Sequence, residues 1–171
     1  MRKLIFAILF LLILTGAGYY FLPEKKLPPD KKIDKLIVTK SKRIMDVYSG
    51  DQIIKTYKIS LGGDPVGDKE FEGDKRTPEG QYSINDKNQN SGFHKNLGIS
   101  YPSETDIQEA KKKNLQPGGD IKIHGIRNGF GFIGRLHRMF DWTAGCVALT
   151  DDEVDELYNR VEIGTPILIL P

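Results

Sequence analysis

Residues 4–22 form a run of 19 amino acids without a charge, preceded by Arg2 and Lys3. No other feature limits the fold as strongly. A helix of that length spans the roughly 30 Å hydrocarbon core of a bilayer, so the run is read as lying outside the folded domain. Residues 1–22 are therefore read as a signal anchor or signal peptide, with the uncleaved anchor preferred. A cleaved peptide would have its apolar region at residues 4–14, but Thr15-Gly16-Ala17 is a poor small-x-small cleavage site. Tyr19, Tyr20 and Phe21 suit a membrane interface. No cysteine follows the run, which excludes a lipid-modified N-terminus.

Orientation is contested within the sequence itself. Lys25, Lys26, Lys31, Lys32 and Lys35 outnumber the two basic residues before the span, and the positive-inside rule read literally would leave the domain in the cytoplasm. A single N-terminal hydrophobic segment usually acts as an export signal, and long domains translocate largely regardless of charge. The expectation is an extracytoplasmic domain, in the periplasm or cell envelope, anchored to the inner membrane by residues 4–22. Residues 23–32, with Pro23, Pro28, Pro29 and alternating charges, read as a stiff solvated tether that holds the domain off the membrane. Residues 33–171 leave room for one domain.

With 25 Lys and Arg against 23 Asp and Glu, the charges nearly cancel, and net charge gives no ground for a nucleic-acid partner. Eighteen Gly, nine Pro and many short apolar runs point to a mainly β domain with two short helices. Residues 35–39, 43–48 and 52–61 read as a β-meander. Residues 62–80 read as a long loop of the kind that is functional or mobile, residues 81–85 as a strand, 86–96 as a polar run, and 97–101 as a strand stopped by Pro102. Thr105 with Gln108 predicts a capping box and a helix over 106–115; Thr150 with Glu153 predicts another starting near Asp151. In that second helix Val154, Leu157, Tyr158 and Val161 share a face, and Gly164 ends it. Residues 120–124 alternate as a strand with Ile121 and Ile123 on one side and Lys122 and His124 on the other, and residues 165–170 form a final strand.

Cys146 is the sole cysteine, so no intramolecular disulfide can form. An isolated cysteine is commonly inert packing, but Gly145 before it permits close backbone approach, and its place between a loop and the run Val147-Ala148-Leu149 favours an open cleft. A thiol needs a base to ionise at neutral pH. His124, at a strand end beside Gly125, is the preferred partner in a thiolate/imidazolium pair. His137 lies in residues 130–140, a Gly-, Arg- and aromatic-rich stretch with the character of a lid, and reads as a substrate contact. His94 reads as a loop hydrogen-bonder. The N–H groups of Gly145 and Cys146 are candidate oxyanion donors, and Gly125 is a further substrate or oxyanion candidate. Asp141 and Thr143 are candidates to orient a histidine or line the cleft, and Trp142 reads equally well as core. Zinc held by His124, His137, Asp141 and Cys146 is the competing reading, set aside because no C-x-x-C or H-E-x-x-H spacing supports it. No metal or other cofactor is expected.

At these residues the sequence resembles the L,D-transpeptidase catalytic domain family, the YkuD type, across residues 34–171. The resemblance rests on GDKRTPEGQY (residues 73–82), SLGG followed by DPVGDKEFEGD (60–74), LGISYP (97–102), IHG (123–125) and DWTAGCVALT (141–150). It implies a β-sandwich-like or barrel-like domain, with His124 as base, Cys146 as nucleophile, and Thr143 and Gly145 in the motif before the cysteine. The family pattern has Ser or Thr, His, Gly, Cys; here Ala144 stands at the His position, and the interval from His124 to Cys146 is longer than usual. Both departures resemble a subgroup near murein transpeptidases and related peptidases.

The partners so implied are peptidoglycan stem peptides. Cys146 would attack the carbonyl of the diamino acid at the third stem position, release D-alanine, and pass the acyl group to an amine. Transfer to water instead would make an L,D-carboxypeptidase or amidase; a non-catalytic wall-binding module is a further alternative. Arg127, Arg135 and Arg138 are candidates for binding a stem-peptide carboxylate. A papain-like arrangement is disfavoured because its cysteine precedes its histidine.

Overall fold

A computed structural model describes residues 2–21 and 23–171; Leu22, the last residue of the expected span, lies outside them. Helix α1, Arg2–Phe21, has 20 residues and holds an 18-residue stretch of mean hydropathy 2.2, long and apolar enough to cross a membrane. The tether expectation needs correction. Leu27, the one apolar residue among the charges after Pro23, is buried in the domain core along with Ile33. Its N–H donates to Glu156, and Arg160 donates to the Pro28 carbonyl at 2.5 Å and to that of Lys31. Burying one large aliphatic side chain is worth about 1.5–3 kcal/mol, enough to bring this short segment onto the domain.

The domain is one curled eight-stranded sheet in the order β3-β2-β1-β8-β4-β5-β6-β7. β1 (Lys35–Thr39), β2 (Ile44–Ser49) and β3 (Gln52–Lys58) form the expected meander. Their inward residues, Leu36, Val38, Met45, Val47 and Tyr57, lie in the core. β8 (Pro166–Leu170) runs parallel to β1 and buries Ile167 and Ile169, so the chain's last strand joins the meander to the second half of the sheet. β4 (Gly80–Ser91) and β5 (His94–Ile99) then make a long hairpin. Residues 86–96, expected as a polar run, are mostly strand: the hairpin satisfies the backbone while most polar side chains of residues 86–90 stay exposed.

β6 (Lys122–His124) pairs antiparallel with β5 and parallel with β7 (Val147–Ala148). The chain beyond β3 leaves β2 and crosses to β7, which is why the strand stops at Lys58 rather than at Leu61. Ser60 N–H donates to Ala148 O at 3.0 Å and Ala148 N–H to Ser60 O at 2.8 Å. Further on, Gly63 N–H donates to Thr143 O and Thr143 N–H to Leu61 O. These bonds draw the two ends of the sheet together, and the residues before Cys146 lie at that seam.

Two α-helices complete the domain. α2 (Glu104–Lys112) begins two residues earlier than expected: Ser103 caps it, with Asp106 as the reciprocal acceptor. Ser103 N–H donates to Asp106 at 2.7 Å, so an aspartate replaces the Glu or Gln of the usual box. α3 (Asp151–Tyr158) carries the predicted Thr150/Glu153 box and buries Val154 and Leu157, with Val161 just beyond also buried. Between Gly62, which bridges to Thr143, and Gly80, which opens β4, residues 63–79 form a loop with no helix or strand, pinned by the ion pair Lys69–Asp74, 2.7 Å and almost fully buried. Gly131–Met139, two short 3-10 stretches joined at Gly134, is the segment expected as a lid.

Candidate active site

Adjacent parallel strands place the two chemical residues. Ile123 pairs with Val147 and His124 with Ala148, so extending the register sets Cys146 beside Lys122. His124 and Cys146 then share a face, their Cα atoms about 8 Å apart, given ~4.8 Å between strands and two rises of ~3.3 Å. Thiol and imidazole both line one cleft of about 1000 Å³. Ile121, Ile123 and Val147 back this face from the core.

Three backbones crowd beneath the cysteine. Gly145 has φ +133°, and a Cβ there would lie 2.7 Å from the Arg76 carbonyl oxygen. A Cβ on Gly62 would lie 2.0 Å from the Lys75 carbonyl oxygen and 3.0 Å from the Gly145 Cα. Only glycine fits either position. Thr143, buried, fastens the turn: its hydroxyl donates to Cys146 O at 2.8 Å and accepts from Gly145 N–H at 3.1 Å. The Gly145 N–H expected as an oxyanion donor is therefore already engaged.

His124 is buried, and its Nδ1 lies 2.7 Å from the Gly125 carbonyl oxygen. A carbonyl only accepts, so Nδ1 carries the proton and Nε2 presents the lone pair. Gly125 thus acts through its carbonyl; its N–H, expected among the oxyanion donors, donates to Phe93 O and Lys95 O. The rings of Phe93 and Trp142 hold the imidazole, at 4.8 and 5.7 Å between centroids. Burial pulls the His124 pKa below its ordinary value, against the Gly125 contact that raises it. Burial likewise pushes the Cys146 thiol up, opposed by the Lys122 backbone N–H. Both directions favour the neutral forms of the two groups before substrate arrives.

His137, buried, also lines the cleft. Trp142 Nε1–H donates to its Nδ1 at 3.4 Å, so the proton sits on Nε2, which is buried without a partner. Burial, with Arg138 and His124 nearby, lowers its pKa to about 4. On another strand of the cleft, Asn96 sits directly opposite His124 across β5–β6, with its Oδ1 buried and unpartnered. Asn96, Phe93 and Ser60, whose hydroxyl donates to His137 O at 3.1 Å, escaped the sequence reading. The turn residues Gly92-Phe93 between two strand-like runs were the signal available for the hairpin.

Several expected contacts lie elsewhere. Asp141 accepts from Arg43 at 2.9 Å and from Leu61 N–H at 2.9 Å, bracing the seam rather than a histidine. Arg138 is buried against Glu153 at 2.6 Å and Glu24 at 2.9 Å, and Arg135 pairs with Glu24; neither lines the cleft. Arg127 does line it. His94 pairs with Asp155 at 2.9 Å, outside the cleft. Among the described residues no group of three or more His, Cys, Asp or Glu is placed to hold a metal ion.

A family model described as the L,D-transpeptidase catalytic domain, YkuD, matches residues 34–169, and the chain belongs to that family. Among individual proteins, YafK of Escherichia coli K12 is 28% identical over 131 residues, covering 72% of this chain and 45% of YafK. The crystal structure of the helical cell shape determining protein Pgp2 from Campylobacter jejuni superposes with a TM-score of 0.61 at 25% identity, over 82% of this chain and 48% of Pgp2. Bd1075 of Bdellovibrio bacteriovorus shares the fold, with a TM-score of 0.58 at 24% identity over 85% of this chain and 50% of that one. The chain spans about half the length of the relatives it matches. The curled β architecture expected from the resemblance is the observed one.

Proposed function

We propose that this chain is a membrane-anchored, extracytoplasmic peptidoglycan L,D-transpeptidase in which Cys146 is the nucleophile and His124 the base. One observation carries the reading: Cys146 and His124 share a face of adjacent strands in one cleft, with His124 Nδ1 engaged by the Gly125 carbonyl. In the first half-reaction, His124 Nε2 takes the thiol proton as Sγ bonds to the carbonyl carbon of the third stem residue. The Cys146 N–H, which the Thr143 clamp does not use, and the orphan Nε2–H of His137 are the donors suited to the developing oxyanion. The C–N bond breaks, the proton passes to the departing D-alanine amine, and a thioester remains. An acceptor amine then attacks, gives its proton to His124, and frees the thiol. Arg127 is the remaining candidate for the substrate carboxylate. By analogy with Pgp2, the product bears on cell shape.

The test incubates the full chain in detergent with tetrapeptide-bearing muropeptides and follows Cys146 and the products by mass spectrometry. An acyl adduct on Cys146 and a cross-linked dimer support transpeptidation. A trimmed monomer replaces it with the hydrolytic alternative on the same residues. Absence of any adduct, with Cys146→Ala behaving as wild type, leaves only a wall-binding module. His124→Ala should slow adduct formation at least about a hundredfold; equal rates would remove His124 from the mechanism.

A further inference from the structure

The expected lid, residues 130–140, lines the Cys146 cleft through Phe130, Leu136, Met139 and Phe140 and carries a cluster of exposed apolar side chains. Phe132 is 72% exposed, Met139 71% and Phe140 66%, with Phe130 and Leu136 also open to solvent. Concentrated patches of this kind mark an interaction surface rather than ordinary scatter.

The same segment is fastened to the end of α1. The Tyr20 hydroxyl donates to the Phe132 carbonyl, and Arg135 donates to the Tyr19 carbonyl at 2.9 Å. Gly134 lies against the Tyr20 ring, where a Cβ would come 3.2 Å from Cε2. Glu24 then takes both Arg135 and Arg138. The connection has little slack. α1 ends at Phe21 and Leu27 is already in the core, and six residues reach no more than about 22 Å.

We propose that residues 130–140 dock into the interface of the bilayer leaflet from which α1 emerges, so that the cleft opens at the membrane surface. The proposal rests on the reading of α1 as a bilayer-spanning anchor. That reading names the occupant. Tyr19, Tyr20 and Phe21 end an apolar helix and belong at headgroup level, and the lid touches them. Exposed Lys25 and Lys26, next in the chain, suit anionic headgroups at the same height. A stem peptide would then reach Cys146 close to the membrane plane.

The test places a fluorescent label at Phe132→Cys or Met139→Cys in a Cys146→Ser full chain, reconstituted in phosphatidylglycerol-containing vesicles with or without doxyl-quencher lipid. Phe21→Cys marks the anchor end and Glu109→Cys, on the exposed face of α2, the control. Docking about 5–10 Å into the headgroup boundary predicts emission at 132 and 139 quenched as strongly as at 21, with 109 unchanged. Quenching at 21 while 132 and 139 follow 109 overturns the docking and leaves the anchor intact. No quenching even at 21 overturns both. Shielding at 132 and 139 that ignores the quencher lipid and disappears on protein dilution also overturns it, by assigning the patch to a second copy. The Cys146 adduct assay is independent of all four outcomes.

Discussion

Asn96 and His124 face each other across the β5–β6 pairing, and the Asn96 Oδ1 is buried without a partner. An acceptor left unsatisfied in a fold costs about 1–3 kcal/mol, so its retention beside the proposed base points to use during the proposed reaction. A ring that has taken the thiol proton has a second N–H to satisfy, and Asn96 is its cross-strand neighbour. Asn96→Leu is expected to keep or raise the melting temperature while slowing acylation about tenfold, the value of a ~1.4 kcal/mol charge-assisted contact. The acid limb of the rate profile should move to lower pH as well. An unchanged rate and profile would make Asn96 a packing residue.

Burial pushes the Cys146 thiol up and pulls the His124 imidazole down, and both directions favour the neutral forms before substrate arrives. In the proposed mechanism, protonating His124 stops the reaction only below its ordinary pKa of about 6.5, and ionising the free thiol begins only above about 8.5. The rate should therefore hold a broad plateau between these limits. Iodoacetamide labelling of the substrate-free protein should rise only on the alkaline side. Half-maximal labelling below pH 7 would reveal a thiolate already formed.

The Thr143 hydroxyl serves two backbone groups of the cysteine turn. Thr143→Val strands a buried N–H and a carbonyl, for a loss of about 1–3 kcal/mol in chemical denaturation and a slower acylation. Thr143→Ser keeps the oxygen and should recover most of both.

Gly145→Ala forces a Cβ toward the Arg76 carbonyl at a φ that side chains rarely adopt. A loss of at least about 1–3 kcal/mol is expected, with acylation falling further than stability because the turn that aims the sulfur must shift. A wild-type melt and rate would show that the turn relaxes freely.

Arg138 and Glu153 form a buried pair, both side chains nearly inaccessible. Removing one partner strands the other, so Arg138→Met should cost about 3–5 kcal/mol, whereas Arg138→Met with Glu153→Leu should recover much of it. KM for muropeptides should stay near wild type in the double variant. A large KM rise there would return Arg138 to substrate recognition.

The elements with local signatures were legible. The apolar run of α1, the alternation of β1 and β2, and the Thr150/Glu153 box all state their structure within a few residues. His124 and Cys146 stood out because each sits beside a glycine at a strand end. Less was legible where a residue's role is set by something distant in sequence. Arg138 and Asp141 looked like site residues because they are charged and near Cys146, yet Glu24, Glu153 and Arg43 take up their charges. Residues 86–96 read as a polar run because β4 leaves most of residues 86–90 exposed, which removes the hydrophobic alternation that advertises a strand.

By itself the sequence determined the composition of the site and the order of the elements, because side-chain chemistry, capping and periodicity are local properties. Tertiary structure decided which atoms are available. It spent the Gly125 and Gly145 N–H groups, chose the His124 nitrogen left bare, set Asn96 opposite it, and bound the tether and lid to one another. Those outcomes come from pairing and burial between segments as many as a hundred or more residues apart, as in Arg138 with Glu24, and no local pattern encodes them.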